Sequence, residues 1–196
     1  ERWARGVFRT RHFTRFRDIL DGTSNTIAAG EIVVDSNRHE VIATTMMNRG
    51  GNGCAAPESY NIPAHIDPTR PQFTLNAGGN LWEGTMRNSR GRRWQDGRSM
   101  YGNFHTIRPP NSYGVGRGWY DNFGFSTAAS RHQGGCHILM ADGAVAFITS
   151  SIDSGDQNRT APGCVGGGND AGMESPYGVW GALGTKDSKE TAAVLP

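Results

Sequence analysis

The chain has 196 residues and a formal net charge of +2, so it fits one domain, and no whole-molecule field draws it to nucleic acid. Only 36% of its residues are apolar and 28 are Gly, which predicts many turns and irregular segments. Five Trp and eight Phe nevertheless exclude simple disorder. No run approaches the roughly 18 apolar residues of a membrane-spanning helix. The first residues are charged and lack the apolar stretch of a secretory signal, so any export signal is expected upstream of this chain.

The N-terminal segment carries Arg2, Arg5, Arg9, Arg11, Arg15 and Arg17 against Glu1 and Asp18. These arginines alternate with Phe8, Phe13 and Phe16, the pattern of a solvated edge on which Arg stems cover apolar neighbours. An arm for an anionic partner is the sharper alternative. Phe13, Phe16, Ile19 and Leu20 recur at helical spacing before Gly22, so one short helical turn closing at Asp21-Gly22 is expected. Residues 23–34 form a strand candidate weakened by Gly30, and residues 39–46 read as another. The segment at about 48–80 is rich in Gly, Pro, Asn and Ala. It is too long for a simple connection and predicts an insertion loop packed on the surface.

Residues 81–107 hold two or three short segments anchored by Trp82, Trp94, Tyr101 and Phe104. Pro109-Pro110-Asn111-Ser112 then forces an extended or turning path. The clearest local signal is a pair of β-prone runs, 136–141 and 144–148, joined by Asp142-Gly143. This is the signature of a two-residue hairpin, whose positive φ Asp tolerates and Gly adopts freely. Near the end, Gly166-Gly167-Gly168 marks a loop and residues 179–184 read as one turn or a short strand. Strands and long loops with little helix predict an α+β chain of mainly antiparallel sheet, organised as one β-rich domain over 1–196.

Signals for chemistry are sparse. The chain has no Gly-x-Ser-x-Gly elbow and no phosphate loop, and residues 114–119 lack the third glycine of a nucleotide fingerprint. Cys54 and Cys164 lie in Gly-rich loops, where a single disulfide is a candidate. Such a bridge would imply an oxidising compartment. Cys136 sits in an apolar run and reads as a small buried hydrophobe. His132, Cys136 and His137 are zinc-ligand types, but on a strand Cys136 and His137 point to opposite faces and do not chelate together. Asp153 and Asp156 offer oxygens for a loose calcium site. The twelfth position counted from Asp153 is Cys164 and not the Glu of an EF-hand, and a polar turn accounts for the run equally well. Glu31 and Asp96 are the acids to consider for acid–base work.

Four blocks together resemble a known family. They are Asp21-Gly22-Thr23-Ser24-Asn25-Thr26-Ile27 with Gly30-Glu31; Arg93-Trp94-Gln95-Asp96-Gly97-Arg98 with Phe104-His105-Thr106 and Pro109-Pro110-Asn111-Ser112; Ser130-Arg131-His132-Gln133-Gly134-Gly135 with 137–145; and Trp180-Gly181-Ala182-Leu183-Gly184-Thr185. In this order they are similar to the secreted, prepilin-like proteins of planctomycete-type bacteria with a His-x9-Asp-Gly motif, the DUF1559 family of unknown function. The likeness runs from about Val7 to Thr185.

The resemblance implies a type IV pilin-like plan, in which a leader and a long apolar N-terminal helix precede a β-rich head. On that plan this chain is a C-terminal portion of the head, with the N-terminal helix absent. The implied function is that of a non-enzymatic structural subunit of a surface filament or secretion apparatus, extracellular, on the cell surface or periplasmic. Its partners would be copies of itself, related subunits or its own N-terminal part, without nucleic acid and without a cofactor. Architectural roles are expected for Asp21, Gly22, Asn25, His132, Asp142 and Gly143. Asp21 and Asn25 would satisfy local turn backbone, and His132 would bond a turn next to the hairpin. An extracellular carbohydrate- or peptide-binding module using Trp82, Trp94, Trp119 and Tyr120 is the main rival reading, and a hydrolase with carboxylate catalysis a third.

Overall fold

The computed structural model describes residues 5–9, 12–36, 38–48, 65–75, 81–83, 90–97, 101–117, 124–162 and 172–190. It contains strands β1 (Ile27–Gly30), β2 (Thr45–Asn48), β3 (Leu81–Glu83), β4 (Gly114–Arg117), β5 (Gly124–Phe125), β6 (Gly135–Met140) and β7 (Val145–Thr149), and one helix, α1 (Gly178–Leu183). Together they make the chain an α+β protein with mostly antiparallel pairing. The notional bridge between Cys54 and Cys164, the Gly166-Gly167-Gly168 loop, Trp119, Tyr120 and residues 49–64 and 76–80 of the insertion lie outside the described residues. Among the described residues, no helix is long and apolar enough to cross a membrane.

The first sheet has the order β1-β6-β7 and is wholly antiparallel. Strand alternation sorts β6 as expected: Cys136, Ile138 and Met140 face inward and are buried, while His137 and Leu139 face out. The hairpin falls where the sequence puts it, but its turn differs. Gly143 donates its N–H to the Met140 carbonyl (3.0 Å) and Met140 donates to Ala144 (2.8 Å), which makes a three-residue loop ending in a bulge. Only Gly143 has positive φ, at 92°. Asp142 instead accepts a hydrogen bond from the Ala144 N–H at 2.9 Å.

The inner face of this sheet packs on α1. Ile27, Ala128, Cys136, Ile138, Met140 and Ile148 form one core cluster with Trp180, Ala182 and Leu183, joined at its margin by Phe104. The Trp180 ring stacks on Phe104 at 6.4 Å, and its indole N–H donates to the Arg108 carbonyl at 2.8 Å. Gly30, read as a weakness of its strand, is required there. A Cβ at Gly30 would lie 2.6 Å from Ile138 and 3.0 Å from the Phe104 ring.

The second sheet has the order β3-β2-β4-β5 around Met46, Val115 and Phe125. Here β2 and β4 run parallel, with Met46 opposite Val115, against the antiparallel expectation. Parallel neighbours need a long crossover, which the chain between residues 48 and 114 provides. The strand expected at 39–46 starts later: Ala43 and Thr44 both donate to the Glu40 carbonyl in a turn, and extended structure begins at Thr45. Part of the insertion folds back on this turn, with Glu40 bridged to Phe73 and Ile66 to Thr74. The expected helical turn is a 3-10 turn at Phe16–Asp18, and Phe13 is 94% exposed, so the helical spacing does not mark a buried face.

His105 donates its N–H to the Ser126 carbonyl at 2.6 Å, and its ring Nδ1 accepts from the Ser126 N–H at 3.4 Å. Removal from water pulls its imidazole down to about 4, with the Ser126 hydrogen bond opposing the shift and the positive charge of Arg90 adding to it. The unfolded chain takes up a proton near the ordinary value of about 6.5 while the folded chain resists it. Stability is therefore complete above about pH 6.5 and is lost as pH falls toward 4, by up to about 3 kcal/mol from this residue. Urea titrations across that window should show the loss, and a His105→Gln variant should flatten it.

Candidate functional site

The motif residues divide into a structural anchor and an exposed cluster. Asp21 does not serve its own turn, as expected, but reaches across the fold. Its carboxylate accepts from the Thr185 hydroxyl (3.1 Å) and from the N–H groups of Ser188 (3.0 Å) and Lys189 (2.6 Å). Leu20 and Asp21 donate their own N–H groups to the Lys186 carbonyl, and the Thr26 hydroxyl meets the Thr185 carbonyl. The Asp-Gly-Thr-Ser-Asn-Thr block thus clasps the segment just after Trp180-Gly181-Ala182-Leu183-Gly184. Asn25 donates its side-chain amide to the Asp21 carbonyl at 3.2 Å, and Gly22 takes a φ of 92°. Beside the clasp, Arg5 pairs with Glu190 at 3.3 Å in a nearly buried contact.

Asn111 performs a similar service for the loop before β6. With φ at 67°, in the left-handed region that Asn tolerates, it donates through its amide to the Gly135 carbonyl and to Ser150. Its side-chain oxygen accepts from the Ser130 N–H at 2.8 Å. The Pro-Pro-Asn-Ser block is therefore a brace for the loop that carries His132. The hairpin tip is held from the other side, where Ala141 and Asp142 donate to the Thr26 and Thr23 carbonyls.

On this braced surface Glu31, His132 and His137 converge, with one ligand atom from each lying within 4.8 Å of the others. A single Glu31 oxygen, Oε1, faces both rings, 3.5 Å from His132 Nε2 and 3.4 Å from His137 Nδ1. The other oxygen, Oε2, accepts from the His137 N–H at 2.8 Å. Burial pushes the Glu31 carboxyl up, but that hydrogen bond, one from Ser130 and the two imidazoles outweigh it, and the group sits below its ordinary value. The two rings meet edge to face at 4.9 Å, and His137 also contacts Phe147 at 5.1 Å. His132 does not bond a turn through its ring, as the sequence suggests. Its ring turns to Glu31, and its N–H reaches Ser130.

Cys136 takes no part, as strand alternation requires. It is a buried free thiol, pushed up to about 12 by removal from water and by the nearby Glu31 charge. Sequence reasoning weighed the two histidines with Cys136 and weighed Glu31 separately, and it missed their union. The signal lies in the β1–β6 register: with Gly30 opposite Ile138, Glu31 falls opposite His137.

The other candidates stay apart. Asp153 accepts from the N–H groups of Gly155 (3.0 Å) and Val179 (3.4 Å), so it caps the start of α1, while Asp156 accepts from Asn158 (3.1 Å). These carboxylates accept from backbone N–H groups, and among the described residues neither belongs to a group of three or more metal-ligand side chains. Trp94 is 83% exposed and Asp96 lies in its turn. Only the backbone of Trp82 is described, so the aromatic platform of a binding module is not defined.

The chain is an α+β fold of two small sheets in which an Asp-Gly block clasps the tail and a His-bearing loop precedes an Asp-Gly hairpin. The chain belongs to the family described as "Protein of unknown function (DUF1559)", whose model matches residues 2–155. No curated protein and no solved structure matches the chain. The Trp180 block lies beyond the matched segment, yet the Asp21 clasp binds the residues that follow it to the matched part.

Proposed function

We propose that the chain is a non-enzymatic extracellular subunit of type IV pilin-like kind, working by assembly with copies of itself or related subunits. The observation that carries this reading is the outer face of the β1-β6-β7 sheet. Leu139 and Val145 are cross-strand partners on it, Phe147 lies opposite His137, and Ala29 continues the face onto β1. Val145 is 65% and Phe147 45% exposed, and among the described residues no layer covers them. Among the described residues β7 is also an edge strand, and the backbone groups on its outer side offer a template for a neighbour. Contiguous exposed apolar surface of this kind marks an interaction site more often than chance exposure. The family resemblance points to the same mode of action.

Sedimentation velocity on the chain and on a Val145→Glu/Phe147→Glu variant tests the reading. The native chain should associate as concentration rises and the variant should stay monomeric. Because both positions face outward, unfolding stability should change by no more than about 0.5 kcal/mol per site. Equal association by the variant would remove this face from the account.

A further inference from the structure

We propose that Glu31, His132 and His137 bind a divalent transition-metal ion of the zinc type, through one carboxylate oxygen and two imidazole nitrogens. The three side chains come from separate segments: the end of β1, the loop before β6, and β6 itself. Their spacing fits a metal better than it fits direct hydrogen bonding. A charge-assisted N–H···O bond closes to about 2.7–2.9 Å, whereas both imidazole nitrogens stand 3.4 and 3.5 Å from the same Glu31 oxygen. A tetrahedral ion with ligands at about 2.0–2.1 Å has edges of about 3.3–3.4 Å between ligand atoms. A small movement of flexible side chains completes the third edge.

The outer shell is already built. Glu31 Oε2 is held by the His137 N–H, which turns Oε1 toward the rings. The Glu31 backbone is fixed on both sides, by its N–H to the His137 carbonyl (3.1 Å) and by its carbonyl to the Ala129 N–H (2.9 Å). Asn111 anchors the loop of His132 through Ser130. Such partners orient ligands and raise affinity.

The donor types select the ion. Two imidazoles with one carboxylate suit zinc, cobalt(II), nickel or copper(II), while calcium and magnesium prefer all-oxygen sets. Among the described residues no thiolate joins the set, because Cys136 lies on the opposite face of β6. The ligand side chains are 36–57% exposed, so the ion enters freely. At least one coordination position is left to water or to a neighbouring molecule.

Calorimetric titration of the tag-free, metal-stripped 196-residue chain with zinc chloride at neutral pH, paired with the visible spectrum of its cobalt(II) form, decides the matter. One equivalent should bind and give a tetrahedral cobalt spectrum. His132→Ala, His137→Ala and Glu31→Gln should each weaken binding about tenfold or more, and a His12→Ala control should bind as the native chain does. Glu31→Gln preserves shape and every backbone bond, so its effect reports on ligation even if a histidine variant folds poorly. Absence of binding by the native chain would overturn the site. So would undiminished binding by Glu31→Gln together with undiminished binding by a folded His132→Ala/His137→Ala double variant.

Discussion

Trp180→Ala is expected to lower the unfolding free energy by about 3–5 kcal/mol, the range for deleting a large buried aromatic. Trp180 is fully buried within the sheet–helix cluster. Its loss also orphans the Arg108 carbonyl and removes the stacking partner of Phe104. Small domains have only about 5–15 kcal/mol in total, so the variant should unfold at markedly lower urea concentration. Trp180→Phe separates the two contributions. It keeps a ring against Phe104 but loses the indole N–H, and should cost less, about 1–3 kcal/mol. A loss under about 1 kcal/mol for Trp180→Ala would mean that α1 does not close the core in the way described.

Asp21→Ala should cost about 2–4 kcal/mol, because one carboxylate satisfies a hydroxyl and two backbone N–H groups that are left without it. The effect has a place as well as a size. Amide exchange should accelerate in residues 185–190 far more than in β6 and β7, since the Asp21 carboxylate bonds only the tail while the hairpin tip keeps its bonds to the Thr23 and Thr26 carbonyls. Asp21→Asn keeps one acceptor oxygen and should fall between the two. Uniform acceleration over the whole chain would show that Asp21 acts on global stability and not as a clasp.

What the sequence reveals follows from how local each feature is. The β6–β7 hairpin is legible because period-two alternation and an Asp-Gly pair lie within fifteen residues. The same alternation correctly turns Cys136 inward and His137 outward. The turn type is less legible, since Asp-Gly serves both a two-residue loop and a longer one in which only Gly143 needs positive φ. Strand β2 is misplaced because residues 41–43, though apolar, are drawn into a turn by the Glu40 carbonyl. Its parallel pairing with β4 depends on a partner almost seventy residues away, and no local pattern records that. Asp21 illustrates the same limit. Its type suggests a local turn role, yet its three donors lie more than 160 residues on.

The candidate site was half visible. His132 and His137 stand out by type and spacing, but Glu31 joins them only through the β1–β6 register, which single-strand reasoning does not supply. The family blocks gain a physical meaning in the fold: Asp-Gly-Thr-Ser-Asn-Thr clasps the tail, Pro-Pro-Asn-Ser braces the His132 loop, and the hairpin carries both His137 and the apolar face. The clasp secures the tail behind the sheet, and the brace and the hairpin place His132 and His137 on its outer side.

That outer side is the centre of the account, and electron microscopy of the concentrated native chain beside the Val145→Glu/Phe147→Glu variant tests it most directly. Ordered filaments or closed rings from the native chain, with only single particles from the variant, are the predicted result. Dispersed single particles from both would contradict assembly through the outer face of the β1-β6-β7 sheet.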